Sequence, residues 1–282
     1  MKHSAYILES TPAPRSCVVF SSPHSGAEYP AGFLQRSCLT PLQLRSSEDA
    51  FVDQFIGETL GAPVLKARFP RAYVDLNRAP DELDSAIIHK ALGMPANPRI
   101  AAGLGVIPRV VANGRAIQLG KMKLAEAEAR LKTCYFPYHT ALRGLIEAQR
   151  QRFGTCFLID VHSMPRAALA GGLLNKRAEI VLGDRYGTAA DHWVTDAVAA
   201  FFSDAGFQVA RNAPFAGGYI TRHYGAPSKG VHVVQIEIDR SLYMNESRVE
   251  LHRDFADIRA RISDVLTQVA SIPACPQSLA AE

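Results

Sequence analysis

The sequence predicts an α/β protein: a single domain with a mixed, mostly parallel sheet flanked by helices. Three observations lead there. Short apolar runs bounded by turn residues, above all 155–161 (TCFLIDV) and 231–238 (VHVVQIEI), read as buried strands. Stretches with apolar residues at helical spacing fall between the strands, which implies a sheet covered on both faces. Polar side chains suited to chemistry follow several of the strands, where open α/β sheets bind their ligands.

Taken in order, residues 17–22 (CVVFSS) read as a first strand, followed by a Pro-His-Ser-Gly loop. Residues 48–60 place Phe51, Val52, Phe55, Ile56 and Leu60 at helical spacing. Ser46 or Ser47 suits the cap of that helix, and Glu48 and Asp49 suit its positive end. Strands are expected at 64–68 and 71–76, the second ending at Asn77-Arg78. Residues 79–121, rich in Gly, Pro and Ala without a sustained period, read as long loops over a site. Helix is expected over 122–153, interrupted near Pro137. The strand at 155–161 ends at His162. Further strands are expected at 178–183, near 207–211 and at 231–238, with a helix over 189–205. Asn245 is expected to cap a final helix over about 246–271. One domain over 1–282 is the simplest account, with about 1–14 and 273–282 as peripheral tails.

Of the 282 residues, 48% are hydrophobic and 21% charged, which allows a core of useful size. The net charge is +4, and no lysine/arginine block marks a nucleic-acid arm or a polybasic membrane patch. That balance fits a small anionic substrate. Cys17, Cys38, Cys134, Cys156 and Cys275 are far apart and form no CxxC pair, so free thiols in a reducing compartment are expected. The amino-terminal stretch offers no apolar secretion signal, and no run approaches the roughly 20 apolar residues that span a bilayer. A cytoplasmic location is the expectation.

Two histidines on strand-end loops with a carboxylate nearby make a three-ligand metal site with one position left for water. His24 and His162 are the candidates. A lone histidine is more often a partly buried structural residue, but two in such settings shift the balance toward metal. The third ligand would come from Glu48, Asp49 or Asp53, and Asp49 is favoured. Asp160 precedes His162 by two residues, so on an extended segment both side chains share a side. That suits a carboxylate bonding the second imidazole nitrogen, or equally a strand-end turn.

Glu237 sits in an otherwise apolar strand (VVQIEID), where burial without a partner is costly. A place beside a metal, as the base that deprotonates water, would resolve that cost. The bland alternative is an ion pair with Arg78 or Arg222. Arg71 and Arg109 are expected to be ordinary surface arginines. A GxSxG elbow, a Rossmann or Walker loop and HExxH are absent, which excludes those catalytic plans.

SSPHSGAEYP, RAYVDLNR, DVHSMP, FAGGYITRHYG and QIEIDRSLYMNE, in this order, resemble the N-formylglutamate amidohydrolase family from about residue 20 to about 246. That family is similar in plan to zinc carboxypeptidases, so the resemblance implies a zinc-carboxypeptidase-like (phosphorylase/hydrolase-like) fold. It implies His24 and His162 as ligands of one divalent metal ion, zinc, with Glu237 as the base. Asn77 and Arg78 would bind a substrate carboxylate. Arg222 and His223 would face the substrate, with Gly217 and Gly218 permitting close backbone approach, and His139 would reach the site. Carboxypeptidases carry an acidic ligand three residues after the first histidine, but that position here is Ala27. Glu28 is one residue further, and the third ligand is therefore sought at Asp49.

The implied reaction is zinc-dependent hydrolysis of N-formyl-L-glutamate to formate and L-glutamate, in histidine degradation. The implied partner is a small anionic N-acyl amino acid, with no nucleic acid and no membrane. A hydrolase of another N-acyl amino acid or small peptide is one alternative, and a non-catalytic binder of acidic metabolites is another. Manganese and cobalt can share such ligands with zinc.

Overall fold

In chain order the strands are β1 (Tyr6–Glu9), β2 (Val18–Ser22), β3 (Val64–Ala67), β4 (Ile88–His89), β5 (Met122–Lys123), β6 (Cys156–Met164), β7 (Ile180–Gly183), β8 (Val209–Arg211), β9 (Val231–Asp239), β10 (Met244–Asn245) and β11 (Glu250–Leu251). The computed structural model describes residues 4–10, 14–57, 61–91, 97–169 and 178–275. Seven strands form one sheet in the order β1-β3-β2-β6-β9-β7-β8. Within it β3, β2, β6 and β9 run parallel. β1 pairs antiparallel with β3, β7 antiparallel with β9, and β8 parallel with β7. The expected mixed, mostly parallel sheet is found.

Every residue of β6 and β9 is buried, because helices cover both faces of the sheet. On one face Val18, Phe20, Phe157, Ile159, Val161, Val234 and Ile236 pack with Val194, Val198 and Phe202 of helix His192–Asp204 and with Ile262, Val265 and Leu266 of helix Phe255–Ala270. On the other face Val19, Leu158 and Val233 pack under Tyr138, Leu142 and Ile146 of helix Phe136–Phe153.

This second face changes character along the strands. With the two-residue period of a strand, Cys156 and Leu158 give way to Asp160 and His162, and Val231 and Val233 give way to Gln235 and Glu237. The register pairs Asp160 with Gln235 and His162 with Glu237. An apolar core thus turns into a row of polar groups without any break in the backbone ladder.

Several expectations are corrected. His162 lies inside β6, which continues to Met164, rather than after its end. Residues 48–57 form no helix beyond the single turn Val52–Gln54, and Leu60 lies outside the described residues. Phe51 adopts a left-handed backbone (φ 67), and Glu48 and Asp49 are held by side-chain partners instead of by a helix end. Val52, Phe55 and Ile56 are nonetheless core residues, so the apolar spacing reported burial rather than helix.

Residues 71–76 form turns, with the N–H groups of Tyr73 and Val74 donating to the carbonyl of Pro70. The final helix begins at Phe255 rather than 246. Asn245 accepts from the N–H groups of Ser247 and Arg248, so it caps the turn that joins β10 to β11. The interruption near Pro137 is a single π turn, Leu131–Tyr135, leading into helix Phe136–Phe153. Strand β1 lies in the stretch expected as a peripheral tail and forms one edge of the sheet.

Candidate active site

His24 follows β2 and His162 lies in β6, and the register of these parallel neighbours brings the two rings to 4.7 Å, edge to face. Nδ1 of His162 is 2.9 Å from Oδ2 of Asp49, and Nδ1 of His24 is 3.4 Å from the same oxygen. The opposite nitrogens are committed elsewhere: Nε2 of His24 is 2.8 Å from Oδ1 of Asp75, and Nε2 of His162 is 2.8 Å from Oδ2 of Asp160. Asp160 is itself held by the Ser21 hydroxyl, which donates across 2.8 Å. Among the described residues His24, Asp49 and His162 are the group able to hold a metal, with ligand atoms within 4.8 Å of one another.

The donor set fits a metal. A carboxylate accepts only, so Asp75 and Asp160 keep the proton of each ring on Nε2. Each Nδ1 then turns a lone pair toward Asp49. Nδ1 of His24 is buried and has no hydrogen-bond partner. Lone pairs and a carboxylate oxygen facing one another are the arrangement that a bound cation satisfies. A proton supplies it in part. Burial disfavours the His162 cation, yet Asp160 and Asp49 outweigh that and hold its pKa well above the usual histidine range. Burial also works against Asp49 ionising, but the two imidazoles beside it keep its carboxyl well below the usual range.

Around this group is a cavity of about 450 Å³, lined on its polar side by Arg71, Arg78, Arg99, Arg185, Arg240 and Glu237. Arg240 donates through Nη2 to Oδ1 of Asp49 at 2.8 Å and through Nε to the Ser163 hydroxyl at 3.0 Å. Arg71 donates through Nη2 to Oδ2 of Asp75 at 2.8 Å. Glu237 accepts from Nε2 of Gln235 at 2.8 Å. Burial, opposed by His162, pushes its carboxyl up to about 7.

Arg78 donates through Nε to the Leu104 carbonyl and through Nη1 to the Asn77 carbonyl. Asn77 touches His162, with Nδ2 3.2 Å from Nε2, and accepts from the N–H of Ile220 at 2.7 Å. Gly218 packs directly on this amide: a Cβ there would stand 2.5 Å from Asn77 Nδ2. The close approach expected at Gly218 is therefore to Asn77.

The structure brings His24, Asp49, His162, Asn77, Arg78 and Glu237 to one cavity. It does not bring the other expected groups there. Arg222 and His223 are exposed on helix Tyr219–Tyr224, and the His223 ring stacks on Tyr219. His139 is buried behind the wall, bonded to the Tyr224 hydroxyl and the Leu76 carbonyl, each at 2.9 Å. It braces the segment that carries Asn77.

The other third-ligand candidates are engaged elsewhere. Glu48 takes bonds from Tyr29 and Arg45, and Asp53 lies in the field of Lys66 and Glu9. Arg71, expected at the surface, lines the cavity, whereas Arg109 pairs with Asp84 at 3.0 Å. Asp75, Arg240, Arg185 and Arg99 went unnoticed in the sequence. Asp75 carried a usable signal, since it stands two residues before Asn77 as Asp160 stands before His162. All five cysteines are free, and no described helix is long and apolar enough to cross a membrane.

A buried acid, two carboxylate-backed histidines and an arginine-rich cavity on a mostly parallel sheet have the make-up of an α/β enzyme site. The comparisons with known proteins make this specific. The family model for N-formylglutamate amidohydrolase matches residues 16–244. The N-formylglutamate deformylase of Pseudomonas putida is 32% identical over 201 residues, 69% of each chain. That of Pseudomonas aeruginosa is 32% identical over 214 residues, covering 74% of this chain and 75% of the relative. The crystal structure of N-formylglutamate amidohydrolase from Ralstonia eutropha superposes with a TM-score of 0.87 at 32% identity, over 95% of this chain and 98% of that one. A gene product of Agrobacterium tumefaciens, at 22% identity and a TM-score of 0.63, shares the fold. The chain belongs to the N-formylglutamate amidohydrolase family and is an amidohydrolase.

Proposed function

We propose that this chain hydrolyses the amide bond of N-formyl-L-glutamate to formate and L-glutamate, with one divalent metal ion held by His24, Asp49 and His162. The observation that carries this reading is the convergence of two Nδ1 atoms on Asp49, one of them buried without a partner. Two histidines and a carboxylate make zinc the expected ion. A bound zinc would supply Lewis acidity toward the formyl carbonyl and make a water acidic enough to give up its proton near neutral pH.

The chain's own residues do the rest. Glu237 accepts the proton of the attacking water at its carboxylate and returns it to the departing amine nitrogen. Burial raises this carboxyl from the ordinary glutamate range, which makes it a stronger base for the water's proton. Gln235 fixes its orientation from two residues earlier in the same strand. Arg240 and Arg71 are committed to Asp49 and Asp75, and so hold the ligand cluster in place. Arg78 has two of its guanidinium N–H groups fixed by carbonyls and keeps the remainder for a substrate carboxylate. The reading assigns the chain to the release of glutamate from an N-formyl precursor, histidine breakdown among such routes, in the cytoplasm.

The test is metal analysis of purified protein together with formate release from N-formyl-L-glutamate, using Glu237→Gln as control. About one equivalent of metal, turnover, and a metal-bearing but inactive variant support the reading. Metal with turnover only of acetyl or succinyl analogues would move the reaction to another acyl group. Failure to take up metal on reconstitution would overturn the metal assignment.

A further inference from the structure

Five arginines line the cavity, but they are not equivalent. Arg71 and Arg240 are paired with Asp75 and Asp49. Arg78, Arg99 and Arg185 have no carboxylate within ion-pair distance among the described residues, although Arg78 lies in the field of Asp75. Arg99 is exposed at the rim. Arg78 and Arg185 are half-buried and reach the cavity from different sides. Arg78 lies in the segment after β3, and Arg185 follows β7, with β2, β6 and β9 between those two strands.

The backbone at Arg185 is set against its ordinary preference. Arg185 and Tyr186 both adopt left-handed conformations, φ 55 and φ 58, which L-residues with long side chains avoid. The loop is held there by a dense set of bonds. Asp184 accepts from the Thr195 hydroxyl at 2.8 Å, from Nδ2 of Asn212 at 2.8 Å and from the N–H of Gly187 at 3.1 Å. Oδ1 of Asn212 accepts in turn from the N–H groups of Asp184 and Tyr186. The N–H of Arg185 donates to the Ala216 carbonyl at 2.8 Å, and Nη1 lies 3.5 Å from the Gly217 carbonyl. Strained backbone persists only where its surroundings over-determine it, and such residues cluster at functional sites. Here it delivers an unpaired guanidinium to the cavity wall.

We propose that Arg185 recognises the side-chain carboxylate of the substrate and so sets the preference for N-acyl dicarboxylic amino acids, while Arg78 takes the α-carboxylate. The division follows from distance along the substrate. The α-carboxylate is one carbon from the scissile nitrogen, and Arg78 adjoins Asn77, which touches His162. The side-chain carboxylate of glutamate is two methylenes further out. Arg185 bonds the Ala216 and Gly217 carbonyls and, among the described residues, makes no hydrogen bond to His24, Asp49 or His162, which suits the more distant charge. Guanidinium binds a carboxylate through two parallel N–H groups, so each end gains orientation as well as charge.

The assignment rests on the hydrolase reading, and the experiment separates the two. Formate release is measured from N-formyl-L-glutamate and from its neutral isostere N-formyl-L-glutamine, for wild type, Arg185→Gln and Arg185→Lys. Arg185→Gln should lower kcat/KM for N-formylglutamate by about tenfold to a hundredfold. It should leave N-formylglutamine within about threefold, and Arg185→Lys should recover part of the loss. Equal loss on both substrates, or no loss on either, overturns the proposal. Glutarate binding to zinc-loaded protein, followed by calorimetry, is the arm that needs no turnover. Weaker binding by Arg185→Gln supports the assignment even if formate is never released. Equal affinity, or no binding by wild type, overturns it.

Discussion

Nε2 of His24 lies 2.8 Å from Oδ1 of Asp75, and the same pairing recurs at His162 and Asp160. Each imidazole is thereby fixed in one tautomer with Nδ1 turned inward. Asp75→Asn and Asp160→Asn should each weaken metal binding by about 10- to 100-fold without removing a ligand. Competition against a chelator of known affinity reads this directly. Unchanged affinity in both variants would mean that the carboxylates do not set the tautomers.

Glu237→Gln keeps the shape of the side chain and removes its basicity. The expected result is a fall in kcat of about 10²- to 10⁴-fold, with KM and bound metal little changed. Steady-state formate release alongside metal analysis checks it. A variant retaining most of its kcat would show that another group moves the proton.

The raised Glu237 carboxyl also has a consequence for stability in metal-stripped protein. Its folded value is about 7 against 4.5 for the free group. Between these values the unfolded chain has lost a proton that the folded chain keeps. The contribution of Glu237 is therefore most favourable below about 4.5 and declines as pH rises through about 7. Metal-free Glu237→Gln should gain stability relative to wild type over that window, by on the order of 3 kcal/mol at the top. Urea unfolding at pH 5 and pH 8 gives the comparison; a gap that does not widen with pH would contradict it.

Arg78→Ala should reduce kcat/KM for N-formyl-L-glutamate by more than tenfold, the scale of a lost charge-assisted bond. Arg222→Ala and His223→Ala, on an exposed helix face, should stay within about twofold of wild type and within about 0.5 kcal/mol in stability. The reverse ranking would restore the role expected for Arg222 from sequence.

Gly218 has a negative φ, −87, so a left-handed backbone is not what calls for glycine there. Its Cβ would nevertheless stand 2.5 Å from the Asn77 amide. Gly218→Ala should destabilise the protein by about 1–3 kcal/mol and depress turnover through displaced Asn77. Thermal unfolding and kcat measured together test both effects.

The parts of the site legible in the sequence were those carried by strands. His162 and Glu237 stand at fixed two-residue spacing from Asp160 and Gln235 in apolar runs, and a strand's periodicity says which side chains share a face. Asp49 was singled out as standing in the first turn of an expected helix that does not form, yet it lies beside both histidines. What failed depended on non-local contacts. The helix expected over 48–60 is absent because Phe51 turns left-handed and because Glu48 binds Tyr29 and Asp49 binds Arg240, partners distant in sequence. Arg222, read as substrate-facing, and Arg71, read as surface, exchanged places, since exposure in loops is set by packing that no local pattern encodes. Arg185 was silent because a left-handed arginine leaves no trace in spacing or composition.

The pairing of His162 with Glu237 across β6 and β9 has a bearing on which lengths of chain this family can tolerate. Because strand side chains alternate, inserting or deleting one residue upstream within either strand would rotate its half of the chemistry to the far side of the sheet, into the cluster of Phe157, Val161 and Ile236. Length changes between relatives should therefore gather in the loops, and these two strands should align without gaps.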